Sequence, residues 1–239
     1  MGTISRQHDR VRPFLTSNTF LGRLPPPVID ALLGKGQIKT FAKGTTIYRR
    51  GDPGESFMMM IKGRIKLTNN TIHGKELVLY YVGPGEVFGE IAALDGKERA
   101  VDTIALEESE VFVIYTRDLL PTLTAHPQAM FEVIQALCEK LRIGAAIVED
   151  NTLEMRGRTA RGLLRLARRH GQTNEDGAQL TLNISQEELG KFLNMSRANV
   201  NRQLSQLKAA EVIRISGTEI TIVDEKGLEE ISEAPAAKD

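Results

Sequence analysis

Glycine recurs at short intervals between residues 37 and 115, and this spacing limits what the stretch can fold into. Short apolar and branched runs lie between the glycines: Thr45–Tyr48, Phe57–Ile61, Arg64–Thr68, Leu77–Val82 and Val111–Tyr115. Several short strands joined by glycine turns are typical of an antiparallel barrel or roll, and not of alternating strands and helices. A short helix over Val28–Leu33, after three prolines, is expected to close one end of this roll.

From Pro127 the period of the apolar residues becomes helical. Apolar or small side chains recur at spacings of four and three with no internal proline: Met130, Ile134, Leu137, Leu141, Gly144 and Val148. This heptad pattern predicts one helix over 127–150, which either packs on its own domain or forms a two-stranded coiled coil between identical subunits. We expect a second stripe, Phe131, Cys138 and Ala145, to face the chain's own domain, which leaves the heptad seam for a second copy.

The region after residue 150 has the pattern of a helix-turn-helix. Thr159–His170 is a basic helical segment, followed by a polar loop over Gly171–Gln179. Ser185 with Glu188 three residues later forms a capping box that opens a helix through Phe192. Ser196 is the expected N-cap of a second helix that runs to about Ala210.

Two alternating runs follow these helices. Val212–Ile215 and Glu219–Val223 alternate apolar and polar residues around Ser216-Gly217-Thr218, which predicts a hairpin, or wing.

The zero net charge of the chain is a cancellation between segments. From Arg156 to Gly217 there are eleven basic and five acidic residues, whereas from Thr218 to Asp239 there are two basic and seven acidic ones. The helix-turn-helix region therefore has the positive charge that a phosphate backbone requires, and the acidic tail is expected to be a solvated end.

The second helix of the pair has side chains suited to DNA. Arg197, Ala198, Asn201 and Arg202 are spaced to project from one face, opposite Val200. Arginine can pair with guanine and asparagine with adenine in the major groove, although arginines on an exposed face can also be merely solvated. Three further residues are natural phosphate contacts: Ser185, Gln186 and Thr218.

Residues 83–94 form an unusual glycine-rich turn that runs into a short helix. Helix N–H groups favour an anion, Arg99 can close over a phosphate, and Glu90 can accept from ribose hydroxyls. Together, the helix N–H groups, Arg99 and Glu90 suit a ligand with one phosphate and one free ribose hydroxyl. A structural Arg99–Glu90 salt bridge explains the same two residues equally well.

Several classes of protein are excluded or disfavoured. One cysteine excludes an internal disulfide, a cysteine-built zinc site and a four-cysteine iron–sulfur cluster. The scattered histidines, His8, His73, His126 and His170, have no metal-ligand spacing, and no catalytic motif is present, so we expect neither a metal site nor an enzyme. Without a signal peptide or an apolar span, the chain is expected to be cytoplasmic and not to bind a membrane.

The chain resembles the cAMP receptor protein/fumarate-nitrate regulator (CRP/FNR) family of bacterial transcription factors from Phe14 to about Val223. Phe88 to Leu94 with Arg99-Ala100 is similar to the phosphate-binding cassette of cyclic-nucleotide domains, and Ser196-Arg197 through Asn201-Arg202 is similar to the family's recognition helix. The resemblance implies RNA polymerase as a partner. The family's redox branch needs a cysteine cluster that is missing here, and its haem branch would place a ligand near His73, where no second ligand is evident.

The resemblance also implies roles for individual residues. Arg99 and the Ala100 N–H would hold the cyclic phosphate, and Glu90 with Gly89 would hold the ribose 2′-hydroxyl. The pocket would be completed by Leu79, Tyr80, Ile91 and Lys140, and Lys140 stands where the family prototype has an arginine.

Three positions depart from the prototype. Ala100 replaces a serine, as in the cyclic-nucleotide domains of kinases, so phosphate binding is expected to survive. Gly144-Ala145 replaces the Thr-Ser pair that contacts adenine, which leaves the choice between cAMP and cGMP open. Ala198 replaces a glutamate, which removes an acceptor for a cytosine amine and predicts a different DNA sequence.

The sequence thus predicts an α+β chain with three parts: an antiparallel β-roll sensor at 14–126, a dimerisation helix at 127–150 and a winged helix-turn-helix at 151–239. We expect a homodimeric regulator of double-stranded DNA with two-fold symmetric sites, controlled by cAMP or cGMP and without any other cofactor. The alternatives are a regulator with a vestigial pocket or another ligand, and a cyclic-nucleotide-binding regulatory subunit of an enzyme.

Overall fold

The structure is a computed structural model that describes residues 9–14, 24–71, 74–174, 177–180 and 184–233. The chain forms two compact units, the first comprising Met1–Lys75 with Leu79–Leu141 and the second Glu76–Val78 with Arg142–Asp239. The division falls inside the long helix, which itself is one continuous element. The boundaries at 126 and 150 stay a prediction.

The glycine-separated runs of residues 37–115 form two four-stranded sheets. One has the order β1-β8-β3-β6 and the other β2-β7-β4-β5. The pairs β1–β8, β3–β8, β3–β6, β2–β7 and β4–β7 are antiparallel, so the predicted roll is confirmed. The strands are β1 Gln37–Phe41, β2 Thr46–Tyr48, β3 Ser56–Lys62, β4 Ile65–Asn70, β5 Glu76–Val82, β6 Val87–Phe88, β7 Asp102–Ala105 and β8 Ser109–Tyr115. Strands β1, β6 and β7 were not predicted.

Strand β3 is buried on both faces, because its alternate side chains enter two different cores. Phe57, Met59 and Ile61 pack in one cluster, which also contains apolar residues of the helices. Met58 and Met60 point the other way, into a cluster between the sheets. Because successive side chains of a strand point to opposite faces, the apolar run of β3 contributes to both clusters, and β3 lies at the centre of the first unit.

Helices flank the roll. Besides the helical residues 9–14, they are α1 Pro26–Lys35, α2 Glu90–Asp95, α3 Thr116–Thr124 and α4 Pro127–Asp150. Helix α1 buries Val28, Ile29, Leu32 and Leu33. The predicted helices at 28–33 and 127–150 are confirmed, and α3 was not anticipated.

Helix α4 turns a different stripe toward the roll than predicted. Ala129 and Val133 are buried in the core of the roll, and Met130 and Leu137 pack partly against it. The expectation that Phe131, Cys138 and Ala145 face this domain is wrong, since all three are exposed. The expectation that Met130 and Leu137 belong to a seam left free for a second copy is also wrong, because both pack against the roll. Two interleaved stripes have nearly the same spacing, and only packing against the roll decides between them.

An apolar heptad stripe remains exposed on α4. Phe131 is 54% exposed, Leu141 74% and Val148 69%. Spaced by three and four, the members of this exposed stripe are Phe131, Ile134, Cys138, Leu141, Ala145 and Val148.

The second unit combines helices with a small sheet. Its elements are α5 Met155–His170, β9 Gly171–Asn174, β10 Gly177–Leu180, α6 Gln186–Leu193, α7 Arg197–Ala209, β11 Ile213–Ser216, β12 Glu219–Ile222 and α8 Glu225–Glu233. The sheet order is β11-β12-β10-β9, so the predicted helix-turn-helix and wing are confirmed. The expected polar loop at Gly171–Gln179 is wrong: it contains two strands, because β12 supplies a distant pairing edge.

The acidic tail is not simply a solvated end. Helix α8 buries Leu228 completely, and Arg168 of α5 forms ion pairs with Glu225, at 3.1 Å, and with Glu229. The prediction of a solvated acidic end is therefore wrong for Glu225–Glu233. The buried Leu228 and the ion pairs with Arg168 pack this helix against α5.

His8 and His73 lie outside the described residues, as does the position weighed for haem. Among the described helices, none is both long and apolar enough to cross a membrane. Within the same ranges, no three potential metal-ligating side chains come together.

Candidate effector and DNA-binding sites

The turn between β6 and α2 is built around Gly89. Its φ is +76°, in the left-handed region, and it is the N-cap of α2. A Cβ at this position would lie 2.6 Å from Arg99 Nη1 and 3.2 Å from the carbonyl oxygen of Ser56. Only glycine fits both the conformation and the space, so Gly89 lets Arg99 approach the backbone of the turn.

Arg99 is a buried cation held from several sides. It is 4% exposed, its Nη1 donates to the Gly89 carbonyl at 2.9 Å, and its Nη2 donates to Ser56 Oγ at 2.9 Å. Its Cζ lies 4.3 Å from the ring centroid of Tyr48. Burial lowers the pKa of Arg99, and nearby Tyr48, Glu90 and Asp52 oppose that shift. The Nε–H is buried without a hydrogen-bond partner among the described residues.

Glu90 is paired with Lys140 of the long helix. Glu90 is buried, with 6% of the whole residue exposed, and Lys140 Nζ lies 2.8 Å from Oε1 while donating to the Val87 carbonyl at 3.0 Å. The alternative of a structural Arg99–Glu90 salt bridge is therefore wrong, since the described ion pair of Glu90 is with Lys140. The ligand roles of Glu90 and Lys140 stay predictions.

A second carboxyl group, Glu86, lies next to this pair. It accepts the Gly83 N–H at 2.7 Å, and the Tyr80 hydroxyl donates to its Oε1 at 3.4 Å. Burial raises the pKa of Glu86 to about 7, although the Gly83 hydrogen bond and the charge of Lys140 act in the opposite direction. A change of charge near neutral pH is thus possible beside Lys140.

The structure brings some of the expected effector residues together, whereas others are half-buried or exposed. Gly89, Glu90, Arg99 and Lys140 form one connected group. Leu79 and Tyr80 are half-buried in β5, Ala100 is exposed, and Ile91 is 53% exposed on α2.

Three residues of this site were not predicted from the sequence: Tyr48, Ser56 and Glu86. Tyr48 and Ser56 lie outside any local motif and reach Arg99 only through the sheets. Glu86 lies within the glycine-rich turn, where its burial could not be foreseen.

In the second unit, both helix starts are capped as predicted. Ser185 Oγ accepts the Glu188 N–H at 3.1 Å, and Ser196 Oγ accepts the Asn199 N–H at 3.2 Å. Each cap satisfies a backbone donor that would otherwise lack a partner, so the two helices begin where the sequence indicates.

The face of α7 expected to contact DNA is open to solvent. Arg197, Ala198, Asn201 and Arg202 are all exposed, whereas Val200 on the opposite face is buried. Gln186 Nε2 donates to Asn201 Oδ1 at 3.0 Å, and Arg202 Nη2 donates to Asn199 Oδ1 at 3.4 Å. Side chains of both helices are thus linked at this surface.

The predicted phosphate contacts gather around a cavity of about 320 Å³ between α6, α7 and the wing. Its lining includes Ser185, Gln186, Arg197 and Thr218. Gly217, at φ +60°, forms the tight turn of the wing beside Thr218. Ser185 and Thr218 are 33 positions apart in the sequence, and the fold places both in the lining of one concave surface.

Much of the positive charge on α5 is neutralised within the unit. Asp150, 4% exposed, accepts from Arg161 at 3.4 Å and also pairs with Arg165, whose Cζ lies 5.0 Å from the Phe192 ring centroid. Arg168 is paired with α8, as described above. The free positive charge of the unit is therefore smaller than the residue count indicates.

The two halves of the chain match two protein-family models. Residues 38–126 match the cyclic nucleotide-binding domain, and residues 157–231 match the Crp-like helix-turn-helix domain. Together with the fold, these matches define a transcription regulator that joins a cyclic nucleotide-binding domain to a DNA-binding helix-turn-helix.

Relatives with known roles agree with this class. The chain is 31% identical over 206 residues to a CRP-like cAMP-activated global transcriptional regulator of Mycobacterium tuberculosis, covering 85% of this chain and 91% of the relative. It is 29% identical to the cyclic AMP receptor protein of Thermus thermophilus, covering 87% and 94%. The chain belongs to the CRP/FNR family, whose members are transcription regulators and not enzymes.

A solved structure supports the fold. The structure of FixK2 from Bradyrhizobium japonicum superposes with a TM-score of 0.75 at 20% identity, covering 84% of this chain and 99% of that one.

Proposed function

We propose that two copies of this chain bind a two-fold symmetric site on double-stranded DNA, under the control of cAMP or cGMP bound in the roll. The observation that carries the effector proposal is Arg99, whose buried Nε–H has no partner among the described residues. A buried donor without a partner costs free energy, and a phosphate oxygen would satisfy it through a charge-assisted bond. The relative from M. tuberculosis is named as cAMP-activated, which supports the same ligand class.

The exposed stripe of α4 supports the dimer. Phe131, Ile134, Leu141 and Val148 are each at least half exposed, and their spacing of three and seven residues follows one heptad seam. A second copy of α4 is the occupant that this periodicity fits, and a two-fold dimer presents two copies of α7 to two half-sites. The family resemblance adds RNA polymerase as the partner of the DNA-bound dimer.

The chemistry of the exposed side chains on α7 suggests which DNA groups each of them would contact. Arg197 and Arg202 would donate to guanine, Asn201 would pair with adenine, and Ala198 would make only an apolar contact. Ser185, Gln186, Ser196 and Thr218 would bind phosphates.

One observation favours a regulator that does not need a nucleotide. Glu90 is already neutralised by Lys140, and Gly144-Ala145 offers no side-chain hydroxyl to a base. In this second candidate function, the ligand-free dimer binds DNA by itself.

Isothermal titration calorimetry with cAMP and cGMP separates the two candidates. Binding by the wild type that is strongly weakened in Arg99→Gln, but unchanged in the control Lys62→Gln, whose side chain is 64% exposed, would support the effector proposal. No heat with either nucleotide at millimolar concentration would overturn it. DNA binding that is unchanged by nucleotide, yet lost in Arg197→Ala, would support the effector-independent regulator.

A further inference from the structure

We propose that Tyr48 and Ser56 are positioning residues that fix the guanidinium of Arg99 for the phosphate of the effector. The inference rests on the proposed function of the roll. Neither residue belongs to the glycine-rich turn: Tyr48 reaches Arg99 from β2, and Ser56 reaches it from β3.

The Tyr48 ring supports the face of the guanidinium. Arg99 Cζ lies 4.3 Å from the ring centroid, well within the distance at which a cation is attracted to an aromatic face. The ring is 8% exposed and stacks on Phe88, with centroids 6.2 Å apart and an interplanar angle of 26°. Phe88 is fully buried in the same core cluster, so the ring is held by the core of the roll.

Ser56 and Gly89 hold the edge of the guanidinium. Ser56 Oγ accepts from Nη2, and the Gly89 carbonyl accepts from Nη1, both at 2.9 Å. Ser56 is 7% exposed at the start of β3, and its register is set by pairing with Tyr115 of β8. With one face and two nitrogens fixed, the plane of the guanidinium has little freedom to rotate.

The Nε–H is the donor that these contacts leave without a partner. Arg99 is 4% exposed, and no described group accepts from Nε. Arginine binds phosphate through two parallel N–H donors, and an already oriented fork loses less conformational entropy on binding than a free one. Tyr48 and Ser56 therefore act on the ligand through Arg99.

The test is a set of double-mutant cycles on nucleotide affinity. Tyr48→Leu should weaken binding of the preferred cyclic nucleotide about tenfold, and Tyr48→Phe, which keeps the aromatic face, should stay within about threefold. Ser56→Ala should lose about fivefold. In an Arg99→Gln background, titrated to millimolar ligand, Tyr48→Leu and Ser56→Ala should cause almost no further loss of nucleotide affinity.

A matched control separates positioning from general loss of core packing. Phe41 packs against the same core cluster as Tyr48 and is half-buried. Phe41→Leu should lower thermal stability and leave affinity unchanged. Equal losses of affinity in Phe41→Leu and Tyr48→Leu, or full additivity with Arg99→Gln, would overturn the positioning role.

A ligand-free measurement keeps this inference separate from the proposed effector. The Arg99 Nε–H proton should show a ring-current shift in the NMR spectrum that persists in Tyr48→Phe and disappears in Tyr48→Leu. Absence of the shift overturns the inference, whatever the ligand. A wild type that shows the shift but binds neither nucleotide confirms that Tyr48 holds Arg99 and overturns the effector proposal.

Discussion

Lys140 Nζ lies 2.8 Å from Glu90 Oε1, so a cation of the long helix neutralises a buried carboxylate of α2. The Glu90 side chain is 9% exposed and the Lys140 side chain 31%. Because the two residues belong to different elements, this pair joins α4 to the short helix beside Arg99.

Removing the cation should destabilise the first unit. In Lys140→Met the buried Glu90 carboxylate loses its partner, and we expect a loss of about 1–3 kcal/mol in the free energy of unfolding, reduced by the partial exposure of Lys140. Lys97→Met is the matched control, since Lys97 is 80% exposed and 4.0 Å from Asp95. Denaturant unfolding at pH 7 checks this prediction, and equal losses in the two variants would contradict it.

Stability should also depend on the protonation of Glu86. Its pKa rises from an ordinary value of 4.5 to about 7 in the folded chain. Between pH 4.5 and about pH 7, the folded state therefore binds one more proton at Glu86 than the unfolded state does. Its contribution therefore favours folding at low pH and is lost as the pH rises from about 4.5 to about 7.

Glu86→Gln removes that titration. Relative to the wild type, the variant should gain on the order of 2 kcal/mol in unfolding free energy between pH 5 and pH 8. The exposed Glu230→Gln should show no such trend. Parallel pH profiles for the wild type and Glu86→Gln would disprove the assignment.

The stripe on α4 makes Cys138 a direct probe of the proposed dimer. It is the one cysteine in the sequence and lies within the exposed stripe, so a parallel two-fold seam brings two copies of it together. Mild oxidation should yield a covalent dimer on a non-reducing gel, and Cys138→Ser should yield none.

A change in the same stripe should dissociate the dimer. Leu141→Asp places a charge on the seam, whereas Ala146→Asp places one on an exposed position beside it. Sedimentation equilibrium should find monomers only for Leu141→Asp. A wild-type monomer at micromolar concentration would refute the dimer itself.

Arg202 should determine base preference. It is exposed on α7 and interacts with Asn199 at 3.4 Å. We expect Arg202→Ala to cost about 1–3 kcal/mol on the preferred DNA and to relax the preference at one position per half-site. Binding to a randomised DNA library checks this, with Lys208→Ala as the control in the last turn of α7. Equal weakening on all sequences would make Arg202 a phosphate contact.

Not every arginine of the second unit should contribute to DNA binding. Arg165 is paired with Asp150 and lies against Phe192, so Arg165→Gln should lower stability and leave the salt dependence of DNA binding unchanged. Arg197→Ala should reduce the slope of log affinity against log salt by about 1 if Arg197 contacts a phosphate. Fluorescence anisotropy from 50 to 200 mM salt measures both slopes, and a reduced slope in Arg165→Gln would contradict the prediction.

Local patterns in the sequence determined much of this protein. The serines at 185 and 196 cap their helices because a cap depends only on residues within one turn. The glycine turns of the roll and the wing hairpin follow from similarly local rules. Gly89 and Arg99 were identified for the same reason, since both lie within one short stretch of the sequence, residues 88–100.

Tertiary structure decided what depends on distant residues. Two stripes of similar spacing run along α4, and only the shape of the roll selects Ala129 and Val133 for burial. The partners of Arg99 and Glu90 come from β2, β3 and α4, which no local spacing connects. Burial and ion pairing are properties of the folded surroundings, so the sequence supplied the charged groups while the packing chose their partners.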